Sequence, residues 1–390
     1  MTPVVIPVRD RKTRKDFLRL PVDLYSGDPN WVAPISSEVR KTLDVRRNPY
    51  FASSELELFV CYDENGPAAR VAIVINPLHR KRFGENTAFF GFFESKNDRA
   101  VVRRLFESAE AYCRSRGVEF LEGPFNPSHY SELGLQANRF KSPPAFFQTY
   151  SPPYYLELLR EVGFCESERF HTRRNEHIGR YVADRLAKWQ GTLNVPGYSV
   201  RSFRMKDFDN ELERIREVFN DAFSTNWHFL PLTKEEYVFA SEFLNLVTLP
   251  ELILIVEHEG TPVGVLECVL DINPLLRQFH GTVGPVKFFR FLRKRKKVSN
   301  LIIYAVGIKK AYQGTHAFAL LLDAVCRMLR KYEVLETTWM SDDNMLALRA
   351  AKLLGLERDK EFVIYRKALG EPLRPSFPGG QESAIEGALA

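Results

Sequence analysis

The sequence is short of cysteine, and that shortage excludes several classes of protein. Its five cysteines, Cys61, Cys113, Cys165, Cys268 and Cys326, are odd in number, far apart and never spaced Cys-x-x-Cys. A disulfide framework and a zinc site are excluded on that spacing, and a reducing cytoplasm is the expected compartment. Histidine is scarce too. His171, His177 and His228 make no ligand spacing with acids or cysteines, so no metal is expected. No apolar run approaches the roughly 18 residues that span a bilayer. Residues 1–16, broken by proline and charge, lack the apolar core of a signal peptide. Gly-x-Ser-x-Gly and Walker patterns are missing as well, which removes a nucleophile elbow and a phosphate loop from consideration.

What is present is enough chain for two ordinary domains. There are 390 residues, 45% of them hydrophobic and 27% charged, a balance that builds packed cores and does not suit wholesale disorder. The net charge of +6 is local. Lys287, Arg290, Arg293, Lys294, Arg295, Lys296 and Lys297 account for the whole excess, with no acid among them. A nucleic-acid binder spreads its surplus over a face or a domain, so nucleic acid is not an expected partner of the chain as a whole.

The chain repeats itself. Residues 56–79 read as two strands about the turn Asp63-Glu64-Asn65-Gly66, ending in Asn76-Pro77-Leu78, and 252–275 repeat this about Glu259-Gly260-Thr261-Pro262, ending in Asn273-Pro274-Leu275. A strand at 88–93 followed by an amphipathic helix at 98–116 matches a strand at 301–308 followed by a helix at 316–332. In the latter helix Phe318, Leu321, Leu322, Val325, Met328 and Leu329 keep three and four spacing. Each helix leads to a further strand, at 119–122 and 334–339, and then to a helix, at 153–162 and 344–354. The fold class is α+β (mixed α/β). The expected domains are 1–192 and 193–369, each a mixed, mostly antiparallel sheet flanked by helices, with a tail at 370–390 too rich in Gly, Pro, Ser and Glu to fold.

This order resembles two copies of the GNAT acyltransferase fold, and within it the bacterial tandem-GNAT group that includes the bacterial ceramide synthases. The resemblance rests on Asp28-Pro29-Asn30-Trp31, Asn48-Pro49-Tyr50-Phe51, Phe89-Phe90-Gly91-Phe92-Phe93-Glu94, Gly123-Pro124-Phe125-Asn126 and Ser151-Pro152-Pro153-Tyr154-Tyr155 in the first half. In the second half it rests on Asn226-Trp227-His228-Phe229, Asp271-Ile272-Asn273, Glu336-Thr337-Thr338-Trp339, Asn344 and Ile364-Tyr365-Arg366-Lys367. It implies transfer of a fatty acyl group from acyl-CoA to the amine of a sphingoid-type base. Two alternatives are a tandem-GNAT transferase that uses aminoacyl-tRNA and a non-catalytic GNAT-like binding protein.

The resemblance also implies where coenzyme A binds. In that fold the pyrophosphate sits where a strand opens into a helix, facing backbone N–H groups and the positive end of the helix dipole. Here the matching residues are Val306, Gly307 and Ile308 on the strand, then Gln313, Gly314, Thr315, His316, Ala317 and Phe318. His316 and Phe318 replace small residues, and no glycine-rich turn stands at 94–99, so only the second half is expected to bind acyl-CoA. Of the later pattern Asn344, Ala347 and Gly355 match, while Ala351 takes the place of the usual tyrosine acid.

Acylating an amine requires a neutral nitrogen, hence a base near the acyl carbon. Glu336, in a strand between apolar neighbours, and Asp271, just past a strand end, are the candidates, with Asn226, Trp227, Trp339 and Asn344 completing the family pattern. Glu336 and Asp271 also have plain structural readings, Glu336 as a pair with a neighbouring strand or a loop cap and Asp271 as a turn with Asn273. The basic stretch 286–297 interleaves its cations with Phe288, Phe289, Phe291 and Leu292. It reads as a solvated surface helix, as a single-strand nucleic-acid patch, or as an element at an anionic membrane surface. The last reading fits a lipid-like amine and peripheral attachment to the inner face of the cytoplasmic membrane.

Overall fold

The computed structural model describes residues 2–187, 193–282 and 284–370. The expected domain boundary at 192 and all but the first residue of the expected tail lie outside the described residues. The first half runs β1 (Val4–Pro7), α1 (Arg11–Leu24), α2 (Ser36–Thr42), β2 (Glu55–Asp63), β3 (Gly66–Ile75), α3 (Pro77–Phe83), β4 (Thr87–Ser95), α4 (Arg99–Ser115), β5 (Phe120–Gly123), the short β6 (Phe125–Asn126), β7 (Glu132–Leu133) and β8 (Leu135–Gln136), α5 (Tyr154–Glu161) and β9 (Cys165–Asn175). After α6 (Ile178–Ala187) the second half runs β10 (Tyr198–Ser202), α7 (Phe208–Ala222), α8 (Lys234–Val247), β11 (Ile253–His258), β12 (Thr261–Leu270), α9 (Asn273–Leu276), α10 (Pro285–Arg295), β13 (Asn300–Ile308), α11 (Ala317–Leu329), β14 (Val334–Thr337), α12 (Met345–Leu353) and β15 (Glu357–Ala368).

Local chemistry accounts for many of these boundaries. The β11–β12 hairpin turns on Glu259 and Gly260, at φ 48° and 77°, the paired left-handed geometry that matches strand twist. Reciprocal capping boxes open α1 (Asp10 with Thr13) and α8 (Thr233 with Glu236), each satisfying N–H groups that a helix start leaves free. Helix α11 buries Ala317, Leu320, Leu321, Val325, Cys326 and Leu329 on one stripe. It starts one residue later and ends three earlier than its periodicity suggests.

Among the described residues thirteen strands join one sheet, in the order β1-β2-β3-β4-β5-β15-β9-β14-β13-β12-β11-β10, with β8 beside β15. The two halves meet through their last strands, which are exchanged. The C-terminal β15 pairs with β5 of the first half (Arg366 opposite Glu122), and β9 of the first half pairs with β14 of the second (Arg174 opposite Glu336). β15 and β9 then pair antiparallel along the centre. Each half completes its sheet with a strand from the other, so the sequential repeat is not two separable layers. Helix α4 and α5 cover the first half's core around Phe90, Phe106, Tyr155 and Phe164. α11 and α6 cover the second half's, which also takes in Ala145, Phe146 and Phe147 from the first half.

Candidate functional site

In both halves the parallel strands pair only near their beginnings. β4 and β5 are bonded at 87–89 and 120–122, and β13 and β14 at 300–303 and 334–337. Beyond that they diverge, which opens the sheet once per half. Each diverging strand also carries a bulge at the equivalent level. Phe92 and Phe93 of β4 face the single Val71, and Tyr304 is the extra residue of β13 between the pairs Glu267–Ala305 and Cys268–Ile303. A bulge leaves a residue outside the ladder and turns its backbone groups away from the partner strand.

The two openings differ. In the first half β6 lies directly on β4: a Cβ on Gly91 would stand 1.6 Å from the Phe125 carbonyl oxygen, and the Phe92 N–H donates to Asn126 Oδ1 at 2.6 Å. Phe89, Phe125, His129 and Trp227 pack the remaining space. In the second half Thr338 bonds back to the Ile303 and Tyr304 carbonyls, after which the chain leaves through Trp339 to Met340. Among the described residues, 305–308 of β13 therefore have a partner strand on the β12 side only.

The predicted pyrophosphate loop follows that strand. The Gln313 amide donates to the Ile308 carbonyl at 3.2 Å. Gly314 adopts φ 80° with open space where a Cβ would point. His316 is exposed with its ring edge-on to Tyr198, and Phe318 is half-buried against the core. Gly307 is needed for packing: a Cβ there would meet Ala222 of α7 at 2.9 Å.

Between the halves lies a cavity of about 410 Å³, lined from the second half by Tyr304, Tyr237, Phe219 and Phe243 and from the first by Trp31, Phe147, Glu94 and Glu132. It thus touches the bulges of both halves. Its walls are mainly apolar and aromatic, with a few buried polar groups. Glu94 accepts hydrogen bonds from Tyr25 (2.7 Å) and Tyr155 (2.9 Å), and burial raises its pKa although the Arg70 guanidinium opposes this. Tyr237 donates to Glu267 Oε1 at 3.2 Å. Burial pushes Glu267 up to about 7, into the range where a carboxylate takes and returns protons near neutrality.

The predicted acids sit behind the cavity wall. Glu336 forms an ion pair with Arg174 and accepts from the Gln148 amide at 2.9 Å. The same Gln148 accepts from Lys360 at 2.8 Å and is the residue of the network that lines the cavity. Asp271 accepts the N–H groups of Phe146 (3.0 Å) and Asn273 (3.2 Å), while burial and the Glu336 charge raise it to about 6. Asn344 caps α12 through Ala347 N–H at 3.1 Å, and Asn226 is an exposed turn residue whose carbonyl accepts from Phe229. Trp227 and Trp339 meet in an aromatic cluster with Phe89, Phe125 and Phe170. Glu336 and Asp271 thus lie behind the cavity and Trp227 and Trp339 at the filled opening, while Asn344 caps α12 and residues 313–318 follow β13. Ala351 lies on the buried face of α12, so no tyrosine hydroxyl is supplied from that position.

Two arrangements had no signal in the sequence. One is Tyr237 with Glu267, from α8 and β12. The other is a buried chain in which His79 Nε2 lies 2.6 Å from His228 Nδ1, and His228 Nε2 lies 3.1 Å from Glu122, with His129 beside it. Burial and the neighbouring His228 drive His79 down to about 3, so that imidazole is neutral. Glu122 and Glu336 hold equivalent places in β5 and β14, each opposite an arginine of an exchanged strand. Among the described residues no group of three or more His, Cys, Asp or Glu is placed to hold a metal ion. Nor is any helix long and apolar enough to cross a membrane.

No protein-family model matches the chain. It is 28% identical over 377 residues to the bacterial ceramide synthase of Caulobacter vibrioides, covering 94% of this chain and 97% of that one. It is 25% identical over 363 residues to protein YghO of Escherichia coli, covering 91% and 93%. Among solved structures, a tandem GNAT protein from the clavulanic acid biosynthesis pathway aligns with a TM-score of 0.54 over 94% of this chain and 99% of the other, at 15% identity. A probable N-acyltransferase from Enterococcus faecalis aligns at 0.53 over 95% and 73%, at 10% identity. The chain therefore has the tandem-GNAT fold, and along almost its full length it is similar to a bacterial ceramide synthase.

Proposed function

We propose that this protein is an acyl-CoA-dependent N-acyltransferase that moves a fatty acyl group onto the amine of a sphingoid-type base, giving a ceramide. The observation that carries this reading is the aromatic cavity that reaches the bulge at Tyr304, in the half whose sheet opening β6 does not fill. The likeness to a named ceramide synthase supports it. Residues 1–192 and 193–369 are assigned as the two GNAT units, the second holding acyl-CoA along 306–308 with its pyrophosphate at 313–318, where the first turn of α11 supplies free N–H groups.

The amine nitrogen attacks the thioester carbonyl carbon, a C–N bond forms, the C–S bond breaks, and coenzyme A leaves as its thiol. Backbone N–H groups near 307–308 polarise the carbonyl. A thiolate leaves readily, so the missing tyrosine at Ala351 is tolerated. The ammonium proton must first be removed. Glu336 is engaged by Arg174 and Gln148, and Asp271 by two backbone N–H groups; we assign both to shaping the wall through Gln148 and Phe146. Glu267, reached through the Tyr237 hydroxyl, is the better placed acceptor. Trp227 and Trp339 hold the aromatic partition between the halves, and Asn226 and Asn344 fix the turn and cap beside it.

Incubating the purified protein with palmitoyl-CoA and sphinganine tests the proposal by mass spectrometry of the amide and by thiol release. An amide with stoichiometric thiol is expected. Absence of both, with no acyl-CoA binding by calorimetry, would replace this reading by a non-catalytic GNAT-like protein.

A further inference from the structure

We infer that α10 and its flanks dock the protein onto an anionic membrane surface and hold the mouth of the central cavity against it. The docking stands on the helix alone; only the identity of what enters the cavity rests on the acyltransferase reading. Phe291 is buried and packs near Phe279, which fixes one face of α10 on the body. Val286 and Phe289 point the other way and are 82% and 68% exposed. Two large apolar residues side by side on a charged helix have no stabilising role in water.

The cations divide in the same manner. Lys287 donates to the Phe279 and Thr282 carbonyls, Lys294 to Gln278, and Arg295 to the Leu246 carbonyl, so these three staple α10 to α8 and to the segment 278–282 that follows α9. Among the described residues Arg290, Arg293, Lys296 and Lys297 have no acidic partner. Helical spacing puts Val286, Phe289, Arg290 and Arg293 on one outward face, with apolar side chains among the cations. That is the composition of an element lying in a headgroup layer, where the aromatics enter the boundary and the cations meet phosphate. A nucleic-acid strand would need stacking platforms along a groove, whereas this face is one short helix.

Position links the face to the site. The Gly281 carbonyl accepts the Ser36 N–H at 3.0 Å, and Gly281 packs on Ala33 and Pro34. Residues 33–36 line the central cavity, as do Asn273 and Leu276 of α9. The segment 281–282, which Lys287 of α10 bonds at Thr282, therefore abuts residues that line one side of the cavity. We place that side toward the bilayer, so that an amine with a long alkyl chain enters the cavity without crossing water.

The test is sedimentation of the full-length protein with vesicles of phosphatidylcholine alone and of phosphatidylcholine mixed with phosphatidylglycerol. Binding to the mixed vesicles only, weakened by salt, is expected. The double variant Val286→Ser/Phe289→Ser, and separately glutamine at Arg290, Arg293, Lys296 and Lys297, should each cut that binding at least about tenfold. Amide formation in detergent micelles should be unchanged in both. Selective vesicle binding without any amide product would leave docking intact and overturn the proposed reaction instead. Equal vesicle binding by wild type and variants would overturn the docking. So would tight binding of single-stranded RNA with no affinity for vesicles.

Discussion

The Tyr237 hydroxyl donates to Glu267 across the wall of the central cavity, and among the described residues this is the carboxylate's one side-chain hydrogen-bond partner. With its pKa raised to about 7, Glu267 is half ionised near neutrality and becomes a better populated base as pH rises. The rate of amide formation should therefore rise with pH through about 7. Glu267→Gln should remove that limb and lower kcat by about 100-fold or more. Tyr237→Phe should lower kcat with little change in KM for acyl-CoA.

Stability should move the other way. A carboxyl whose folded pKa is raised contributes stability below its ordinary value and loses it as pH rises through the folded value. For Glu267 the loss spans roughly pH 4.5 to 7 and amounts to about 3 kcal/mol. Glu267→Gln should thus melt higher than wild type above pH 7 while losing activity, as thermal denaturation at pH 5 and pH 8 would reveal. A variant that is merely misfolded would melt lower at both.

Glu336 is predicted to be a structural acid. Glu336→Gln or Arg174→Ala breaks a largely buried pair, and such losses cost up to about 3–5 kcal/mol, less here because Arg174 is partly exposed. Melting should fall by several degrees in each, with kcat at low temperature changed only a few-fold. A large loss of kcat at unchanged melting temperature would reassign the base to Glu336.

Two glycines separate packing from binding. Gly91→Ala forces a Cβ against the Phe125 carbonyl, a backbone group that cannot swing aside, and should prevent stable folding. Gly314→Ala meets open space but an unfavourable φ of 80°, costing about 1–2 kcal/mol locally. It should raise KM for acyl-CoA and barely move the melting temperature.

The repeat was legible because its signals are local. Gly260 after Glu259, Asn-Pro after each hairpin and the stripe from Phe318 to Leu329 each name an element within a few residues. α10 was legible in composition, but which of its cations serve as staples was not. Exchange of β9 and β15 was hidden, since both are ordinary terminal strands and their partners lie far away in the chain. The same limit hid His79 with His228, 149 residues apart, and Tyr237 with Glu267. Glu336 and Asp271 were read as candidate bases, and both are buried. Only their partners, Arg174 and the Phe146 N–H, show how firmly each is held.

The most direct test follows one nitrogen and one thiol together. Sphinganine labelled with ¹⁵N is incubated with palmitoyl-CoA and the protein, and the labelled amide and free coenzyme A are counted in the same sample. The account predicts equal amounts of both, dependent on Glu267. Thiol release without labelled amide, or binding of acyl-CoA with neither product, would contradict it.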